Sequence, residues 1–296
     1  MRERFFGSSP EGLLGVVVGT IARTFSTGDA QPTVARVDST PTPPIVLVEG
    51  NIGAGKSTLC TSLETRDDDA DGMCVRVVDE RVGDELLKAF YNNRRRYAFA
   101  MQLRQLSLRQ AAFSAAVERR HSPSTTTILD RSLVGDFAFA LWNWASSSID
   151  DDEWRLYCEA AGDEPFGAAT SPTPSLVIVY LHDDVESCSF RQTKRDRRTI
   201  DVKYLRGIEA AHLVVLAHVV AARRHCVVEL HWAEYARQRT SRRETFDIIA
   251  GRASLPDADE LERRRTSLSK RAADAIERLD DATARRRLAS YFRCGA

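Results

Sequence analysis

One stretch of the chain combines the residue types that bind phosphate groups. Residues 50–57, which we call the phosphate loop, fit the pattern G-x-x-x-x-G-K-[ST], and only five lysines occur in the 296 residues. The glycines let successive backbone N–H groups point at phosphate oxygens, Lys56 can reach the β- and γ-phosphates, and Ser57 can ligate Mg²⁺. A chance match is expected about 0.002 times in such a chain. The predicted nucleotide-binding residues are Gly50, Asn51, Ile52, Gly53, Ala54, Gly55, Lys56, Ser57 and Thr58.

Two acidic residues follow apolar segments of the kind that form strands. Glu80 comes after Val75–Val78, and Asp130 comes directly after Thr126–Leu129. Ligands of open α/β sheets bind beyond the carboxyl ends of the strands, which makes both acids candidates for chemistry on bound phosphates. Asp130 can hold Mg²⁺ directly or through water, and Glu80 can accept a proton from a substrate hydroxyl. The alternative is that each acid caps a helix or pairs with the arginine after it, but the upstream phosphate loop favours function.

A strongly basic segment follows another apolar run. Residues 191–198 carry five cations in eight positions. Such a cluster can clamp a triphosphate and stabilise charge in a transition state, whereas a solvated helix face or a nucleic-acid patch is the alternative. Because the segment falls where small-molecule phosphate-loop kinases place a mobile lid, we expect Arg191, Arg195 and Arg197 to bind the nucleotide.

The elements that must position these residues alternate along the chain. Apolar runs that indicate strands occupy Ile45–Val48, Val75–Val78, Thr126–Leu129, Leu176–Leu181 and, more weakly, Cys226–Leu230. Continuous apolar runs indicate parallel strands that are buried on both faces. Ala100–Arg120 and Leu205–Arg224 place apolar residues at helical spacing. The pattern predicts an α/β fold, a three-layer, doubly wound parallel sheet of about five strands.

Composition divides the chain into three parts. Residues 1–43 predict a flexible N-terminal extension, residues 44–251 the α/β domain, and residues 252–296 a charged helical C-terminal extension. For the last part a solvated helix or helical hairpin is the preferred interpretation, and an interaction tail is the alternative. The start of the chain has features of a mitochondrial transit peptide, but Glu3 and Glu11 favour a plain extension of a cytoplasmic protein.

The overall composition excludes several classes of protein. With 42 basic and 42 acidic residues the net charge is near zero, which excludes a strongly basic nucleic-acid coat. The longest apolar run near the start, Leu13–Ala22, is too short to span a bilayer, and no membrane partner is expected. The six cysteines have no CxxC spacing and signal neither a zinc site nor a disulfide scaffold. A small-molecule ligand is therefore the expected partner.

These motifs together resemble those of the deoxyribonucleoside kinase family, of the deoxycytidine and deoxyguanosine kinase type. Glu49-Gly50-Asn51-Ile52 looks like that family's form of the phosphate loop, Glu80-Arg81-Val82 is similar to its Glu-Pro-Val motif, and Asp130-Arg131-Ser132 matches its Asp/Glu-Arg-Ser motif. The resemblance implies that Glu80 is the general base toward the 5′-hydroxyl. It also implies that Asp130 lies near Mg²⁺ and that Arg131 lies near the 5′-oxygen and the transferred phosphate.

The resemblance extends to a base-recognition stretch. Tyr91 and Gln102 have the spacing of the family's sugar-binding tyrosine and base-binding glutamine, which implies contacts to the 3′-hydroxyl and to the base edge. Arg109 and Asp136 fall where members that accept cytosine, adenine or guanine carry an arginine and an aspartate. For this pair the alternative is a surface ion pair between neighbouring helices.

The chain also departs from the family's pattern. The aromatic residue that stacks on the base would fall at Ala140, beside Phe139, which implies a roomier or shifted base pocket. The lid is about three residues shorter between Arg197 and Tyr204 in this comparison, and the family's acidic lid pair has no clear match.

The expected activity is transfer of the γ-phosphate of ATP, with Mg²⁺, to the 5′-hydroxyl of a deoxyribonucleoside for nucleotide salvage. Deoxycytidine or a purine deoxynucleoside is favoured over thymidine, and the resemblance allows a homodimer. A nucleoside-monophosphate kinase is one alternative, in which cations such as Arg81, Arg94, Arg95 and Arg96 would bind the acceptor's phosphate. A non-catalytic, nucleotide-binding regulatory protein is the other.

Overall fold

The computed structural model describes residues 45–64, 74–78, 84–119, 125–162, 176–196, 199–221, 226–238, 244–245, 249 and 258–295. Three sequence predictions lie outside these residues. They are the N-terminal extension, Glu80 with its neighbours, and Arg197 of the basic segment.

A sheet of five parallel strands forms the centre of the described part of the chain. The strands are β1 (Ile45–Glu49), β2 (Cys74–Val78), β3 (Thr125–Asp130), β4 (Leu176–His182) and β5 (Cys226–His231). Their order is β2-β3-β1-β4-β5, which makes β1 the central strand. Val48 is in register with Asp130 of β3 and Val179 of β4, so the carboxyl ends of these strands meet at one edge. The predicted doubly wound parallel sheet is confirmed.

Helices cover both faces of this sheet. Within the described residues they are α1 (Lys56–Leu63), α2 (Asp84–Asn92), α3 (Arg94–Arg119), α4 (Leu133–Ala145), α5 (Asp151–Ala161), α6 (Val185–Asp196), α7 (Val202–Ala221), α8 (Trp232–Gln238), α9 (Ala258–Glu277) and α10 (Ala282–Gly295). The two predicted long helices correspond to α3 and α7. None of the helices in these ranges is long and apolar enough to cross a membrane.

The central strand shows why the fold has three layers. Ile45 and Leu47 of β1 belong to one buried core, and Val46 and Val48 belong to a second one. Successive side chains of a strand point to opposite faces of the sheet, and here both faces are buried. One core contains residues of α3, α4 and α7, and the other contains residues of α1.

The C-terminal helices α9 and α10 are part of the first core. Leu268 and Ile276 of α9 and Leu288 and Tyr291 of α10 are buried in the same cluster as β1 and α7. The charged helical hairpin expected at this end is therefore present, but the interpretation of it as solvated is wrong for its apolar side. The apolar residues of this hairpin are separated along the sequence by arginines and acidic residues. The composition of the segment therefore does not reveal that its helices have an apolar face.

A polar contact adds to this packing. The Arg287 guanidinium of α10 donates to the carbonyl oxygen of Trp144 at 2.8 Å and pairs with Asp151 at 3.1 Å. It also lies 5.0 Å from the centroid of the Trp144 ring. The hairpin is thus attached to the junction between α4 and α5.

Candidate active site

The phosphate loop connects β1 to α1 and is tightly curled. Gly53 has a φ of 77°, in the left-handed region that favours glycine. A β-carbon at Gly53 would overlap the carbonyl oxygen of Cys188 in α6, so loop and helix approach at a distance that only glycine allows. Lys56 Nζ donates to the carbonyl oxygens of Gly50 at 3.1 Å and Asn51 at 2.7 Å. The ammonium group therefore lies inside the curl of the loop.

The side chain of Asn51 fixes the loop to α7. Its Nδ2 donates to the carbonyl oxygen of Leu205 at 2.9 Å, and its Oδ1 accepts from the backbone N–H of Ile52 at 2.8 Å. Asn51 is buried. The side chain thus shapes the loop and holds it against α7.

Ser57 and Asp130, predicted to hold a metal, meet at the edge of the sheet. The Ser57 hydroxyl donates to Asp130 Oδ2 at 2.7 Å. Asp130 Oδ1 is buried and has no hydrogen-bond partner among the described residues. A buried carboxylate oxygen without a partner, beside a hydroxyl, is a donor set of the kind that Mg²⁺ prefers. The residues present therefore fit this metal.

Arg131 follows Asp130 in a strained conformation. Its φ is 70°, which residues other than glycine rarely adopt. Its backbone N–H donates to the carbonyl oxygen of Val48 at 3.0 Å, and its guanidinium donates to that of Gly50 at 3.1 Å. The guanidinium also lies 4.7 Å from the centroid of the Phe139 ring. These contacts direct the arginine toward the phosphate loop.

Glu49 holds the segment that follows Arg131. Its Oε1 accepts from the backbone N–H of Ser132 at 2.7 Å, from the Ser132 hydroxyl, and from the backbone N–H of Gly135 at 3.1 Å. Burial raises the pKa of the Glu49 carboxyl, although the hydrogen bond from Ser132 and the charge of Arg131 act in the opposite direction. A completely buried carboxyl group thus anchors the start of α4 next to the strained residue.

A cavity of about 480 Å³ opens beside the phosphate loop, within the size range of small-molecule sites. Nine of the residues predicted from the sequence line it: Ile52, Gly53, Lys56, Ser57, Tyr91, Gln102, Arg109, Arg131 and Arg195. Among its other lining residues are Gln105, Phe139, Gln192 and Tyr204. The cavity therefore connects the phosphate loop with the base-recognition stretch.

Arg109 and Asp136 form a buried ion pair between α3 and α4. Tyr157 of α5 donates its hydroxyl to the second carboxylate oxygen of Asp136 at 2.6 Å, and Gln102 Nε2 donates to the Asp136 carbonyl oxygen at 3.2 Å. Burial first, and then the charge of Asp136, raise the pKa of Tyr157, which keeps the phenol protonated as a donor. The surface-pair alternative is wrong because Asp136 has no exposed surface. Asp136 is not among the residues that line the cavity and lies behind Arg109.

The basic segment lies on α6 beside the loop. Arg191 Nε donates to the carbonyl oxygen of Gly53 at 2.7 Å, and its guanidinium pairs with Asp183 at 2.8 Å. Arg195 lines the cavity and pairs with its neighbour Asp196 at 2.6 Å. Two of the three predicted lid cations are thus near the phosphate loop, and Arg197 lies outside the described residues.

Sequence reasoning missed three functional candidates. The signal for Gln105 is its position one helical turn after Gln102, and the signal for Glu49 is its place in the loop motif. No local signal identifies Tyr157, because its contact with Asp136 depends on the packing of α5 against α4. Of the two neighbours considered for the stacking position, Phe139 lies on the cavity wall, whereas Ala140 is fully buried.

The chain is similar to several known proteins. A family model described as deoxynucleoside kinase matches residues 46–250. The chain is 26% identical over 192 residues to deoxycytidine kinase 2 of Gallus gallus, covering 56% of this chain and 71% of that protein. It is 26% identical over 195 residues to deoxyguanosine kinase of Dictyostelium discoideum, covering 64% of this chain and 65% of that protein.

One solved structure extends the comparison of the fold. A deoxyadenosine kinase from M. mycoides, with the products dCMP and a flexible dCDP bound, has a TM-score of 0.53 and 17% sequence identity. The match covers 70% of this chain and 96% of that one. At this level of identity the likeness concerns the fold alone.

Proposed function

Because the chain belongs to the deoxynucleoside kinase family and is a phosphotransferase, we propose that it transfers the γ-phosphate of ATP to the 5′-hydroxyl of a deoxyribonucleoside for nucleotide salvage. The observation that carries this proposal is the continuous cavity. Lys56 and Ser57 of the phosphate loop line it together with Gln102 and Arg109 of α3. A donor phosphate and an acceptor base can therefore occupy one space, which positions two reactants for direct transfer.

On the donor side, positive charge surrounds the phosphates. Lys56 lies within the loop, and Arg191 and Arg195 approach it from α6. Ser57 and Asp130 would hold Mg²⁺, which when bound neutralises phosphate charge and polarises the transferred group. The cations of the loop and of α6 stabilise the negative charge that develops on the phosphate oxygens during transfer.

On the acceptor side, the reaction needs a base for the 5′-hydroxyl. We assign this role to Glu80, which lies outside the described residues. The bond between the γ-phosphorus and the bridging oxygen of ATP breaks, the 5′-oxygen bonds to phosphorus, and the hydroxyl proton passes to Glu80. Arg131 steadies the 5′-oxygen and the moving phosphate, and Tyr91 on the cavity wall binds the 3′-hydroxyl.

Side chains of α3 make most of the proposed contacts to the nucleobase. Gln102 uses one N–H on the Asp136 carbonyl oxygen, which leaves its carbonyl oxygen and a second N–H for a ligand. Such a group matches the amine and ring nitrogen of cytosine or adenine, and it matches the N3–H and carbonyl oxygen of thymine equally well. Arg109 adds donors on the same wall, and Asp136 and Tyr157 hold it in place. We favour an amino-bearing deoxynucleoside over thymidine because Arg109 and Asp136 fall where family members that accept such bases carry an arginine and an aspartate.

The positions of three arginines argue against a nucleoside-monophosphate kinase. The Arg94 guanidinium lies 4.0 Å from the centroid of the Tyr204 ring, and Arg95 pairs with Asp150 at 3.3 Å. Neither Arg94, Arg95 nor Arg96 is among the described residues that line the cavity. These cations are thus not arranged to bind a phosphate on the acceptor.

The proposal is tested by ADP release from Mg·ATP with deoxyadenosine, deoxyguanosine, deoxycytidine, thymidine and dCMP in turn. We expect turnover with amino-bearing deoxynucleosides that a Glu80→Gln variant loses while it still binds ATP. Turnover with dCMP alone would replace the proposal by a monophosphate kinase. ATP binding without turnover on any acceptor would support the non-catalytic alternative.

A further inference from the structure

A second glutamine of α3, Gln105, lies on the wall of the substrate cavity. It is only 5% exposed, and it is one helical turn from Gln102 and one turn from Arg109. All three side chains therefore lie along one face of α3. The sequence motifs assign no task to Gln105.

The amide of Gln105 has no hydrogen-bond partner among the described residues, unlike that of Gln102. A second comparison is Gln110 on the same helix, which is partly exposed and donates to the carbonyl oxygen of Ala160 at 3.3 Å. Because Gln105 lines the cavity and its amide is not paired within the described residues, the amide is available to bind a ligand there. The ligand at Gln105 should offer both a donor and an acceptor, because an amide has both.

We propose that Gln105 is a specificity-determining residue that selects adenine. This inference rests on the proposed function and refines its substrate class. An amide that contacts adenine forms a bidentate pair with the N6 amine and N7. The N6 amine has two hydrogens, so Gln105 accepts one and donates to N7, while Gln102 accepts the other and donates to N1.

Other bases satisfy this pair of glutamines less well. Cytosine offers one amine and one ring nitrogen, which Gln102 alone engages, and neither cytosine nor thymine has an atom equivalent to N7 for Gln105. Guanine presents O6 and N7, two acceptors, where the amide of Gln105 offers one carbonyl oxygen. Deoxyadenosine is therefore expected to have the highest kcat/KM of the common deoxynucleosides.

The test compares deoxyadenosine with 7-deaza-2′-deoxyadenosine, in which a C–H replaces N7. For the wild type we expect a kcat/KM about tenfold higher for deoxyadenosine, which corresponds to about 1.4 kcal/mol. In Gln105→Leu this preference is expected to fall below about twofold. Gln110→Leu, a glutamine of the same helix away from the cavity, should keep the preference.

Each outcome bears on the inference. A wild type that does not distinguish the two adenine nucleosides, or a preference that persists in Gln105→Leu, would overturn it while leaving the proposed function intact. Turnover that is confined to pyrimidine deoxynucleosides would do the same. If the wild type phosphorylates no deoxynucleoside at all, the proposed function fails, and this inference fails with it. The wild-type comparison does not depend on how well the variant folds.

Discussion

At the scale of single residues, the contact between Ser57 and Asp130 makes the metal site testable. Asp130→Asn keeps the shape of the side chain but removes its charge. We expect kcat to fall by about 100-fold or more and half-saturation to need more Mg²⁺, because a bound metal contributes several kcal/mol to such transition states. ADP release measured over a Mg²⁺ titration checks this.

An aspartate outside the site serves as the control for that measurement. Asp152 of α5 is exposed and pairs with Arg155 at 3.0 Å. Asp152→Asn should retain the wild-type dependence on Mg²⁺. A wild-type Mg²⁺ titration in Asp130→Asn would show that this carboxylate does not take part in metal binding.

Glu49 makes a prediction about stability. Glu49→Leu leaves three donors, from Ser132 and Gly135, without their acceptor. The expected loss in free energy of unfolding is about 2–5 kcal/mol, whereas Glu49→Gln keeps an acceptor oxygen and should lose about 1 kcal/mol. Denaturant unfolding of both variants measures the difference, and equal losses would contradict the anchoring role.

The titration of Glu49 adds a dependence on pH. Its pKa is raised in the folded protein, so the folded state holds this proton more tightly than the unfolded chain does. The stability that this provides is complete below the unfolded pKa and is lost as pH rises through the folded one. Glu49→Gln lacks this titration, so its stability relative to the wild type should improve as pH rises. If the difference in free energy of unfolding between Glu49→Gln and the wild type does not change with pH, the raised pKa of Glu49 is contradicted.

At the scale of elements, the close approach of the phosphate loop to α6 is the critical contact. Gly53→Ala places a methyl group against the backbone of Cys188 and forces loop and helix apart. We expect the Kd for ATP to rise at least about tenfold, because displacing the loop disrupts the backbone donors that bind phosphate. Equilibrium binding of ATP measures this effect.

Gly162 provides the matched control for backbone strain. It also has a positive φ, of 54°, but it lies at the C-terminal end of α5. Gly162→Ala should therefore share the conformational cost without weakening ATP binding. Similar losses in the two variants would attribute the effect to general destabilisation.

The elements of the sheet and the loop are predictable because their signals are local. Each strand is a continuous apolar run such as Leu176–Leu181, and the glycine pattern of the phosphate loop is rarely met by chance. Arg109 and Asp136 could be singled out because they fall where the resembling family carries an arginine and an aspartate. The contact of Tyr157 with Asp136 is not predictable in this way, since residues 21 positions apart meet only after α5 packs on α4.

At the scale of the whole molecule, the C-terminal hairpin is expected to stabilise the domain. Leu288 of α10 is fully buried in the core that also contains β1 and α7. Leu288→Ala should lower the free energy of unfolding by about 2–5 kcal/mol. Leu156→Ala, at a site that is 48% exposed, should cost less than about 1 kcal/mol.

Denaturant unfolding of the two leucine variants checks this prediction. If both lose the same small amount, the hairpin packs too loosely to belong to the domain. The homodimer and the cytoplasmic location stay predictions. Light scattering after size exclusion tests the first, and microscopy of the tagged full-length chain tests the second.

The central claim, transfer to a 5′-hydroxyl in the cavity beside the phosphate loop, is tested most directly by following labelled γ-phosphate from ATP. The acceptors are deoxyadenosine and 2′,5′-dideoxyadenosine, which lacks only the 5′-hydroxyl. We expect a labelled 5′-monophosphate from the first, no labelled product from the second, and loss of the label transfer in Glu80→Gln. Label on the dideoxy compound, or on no deoxynucleoside at all, would contradict it.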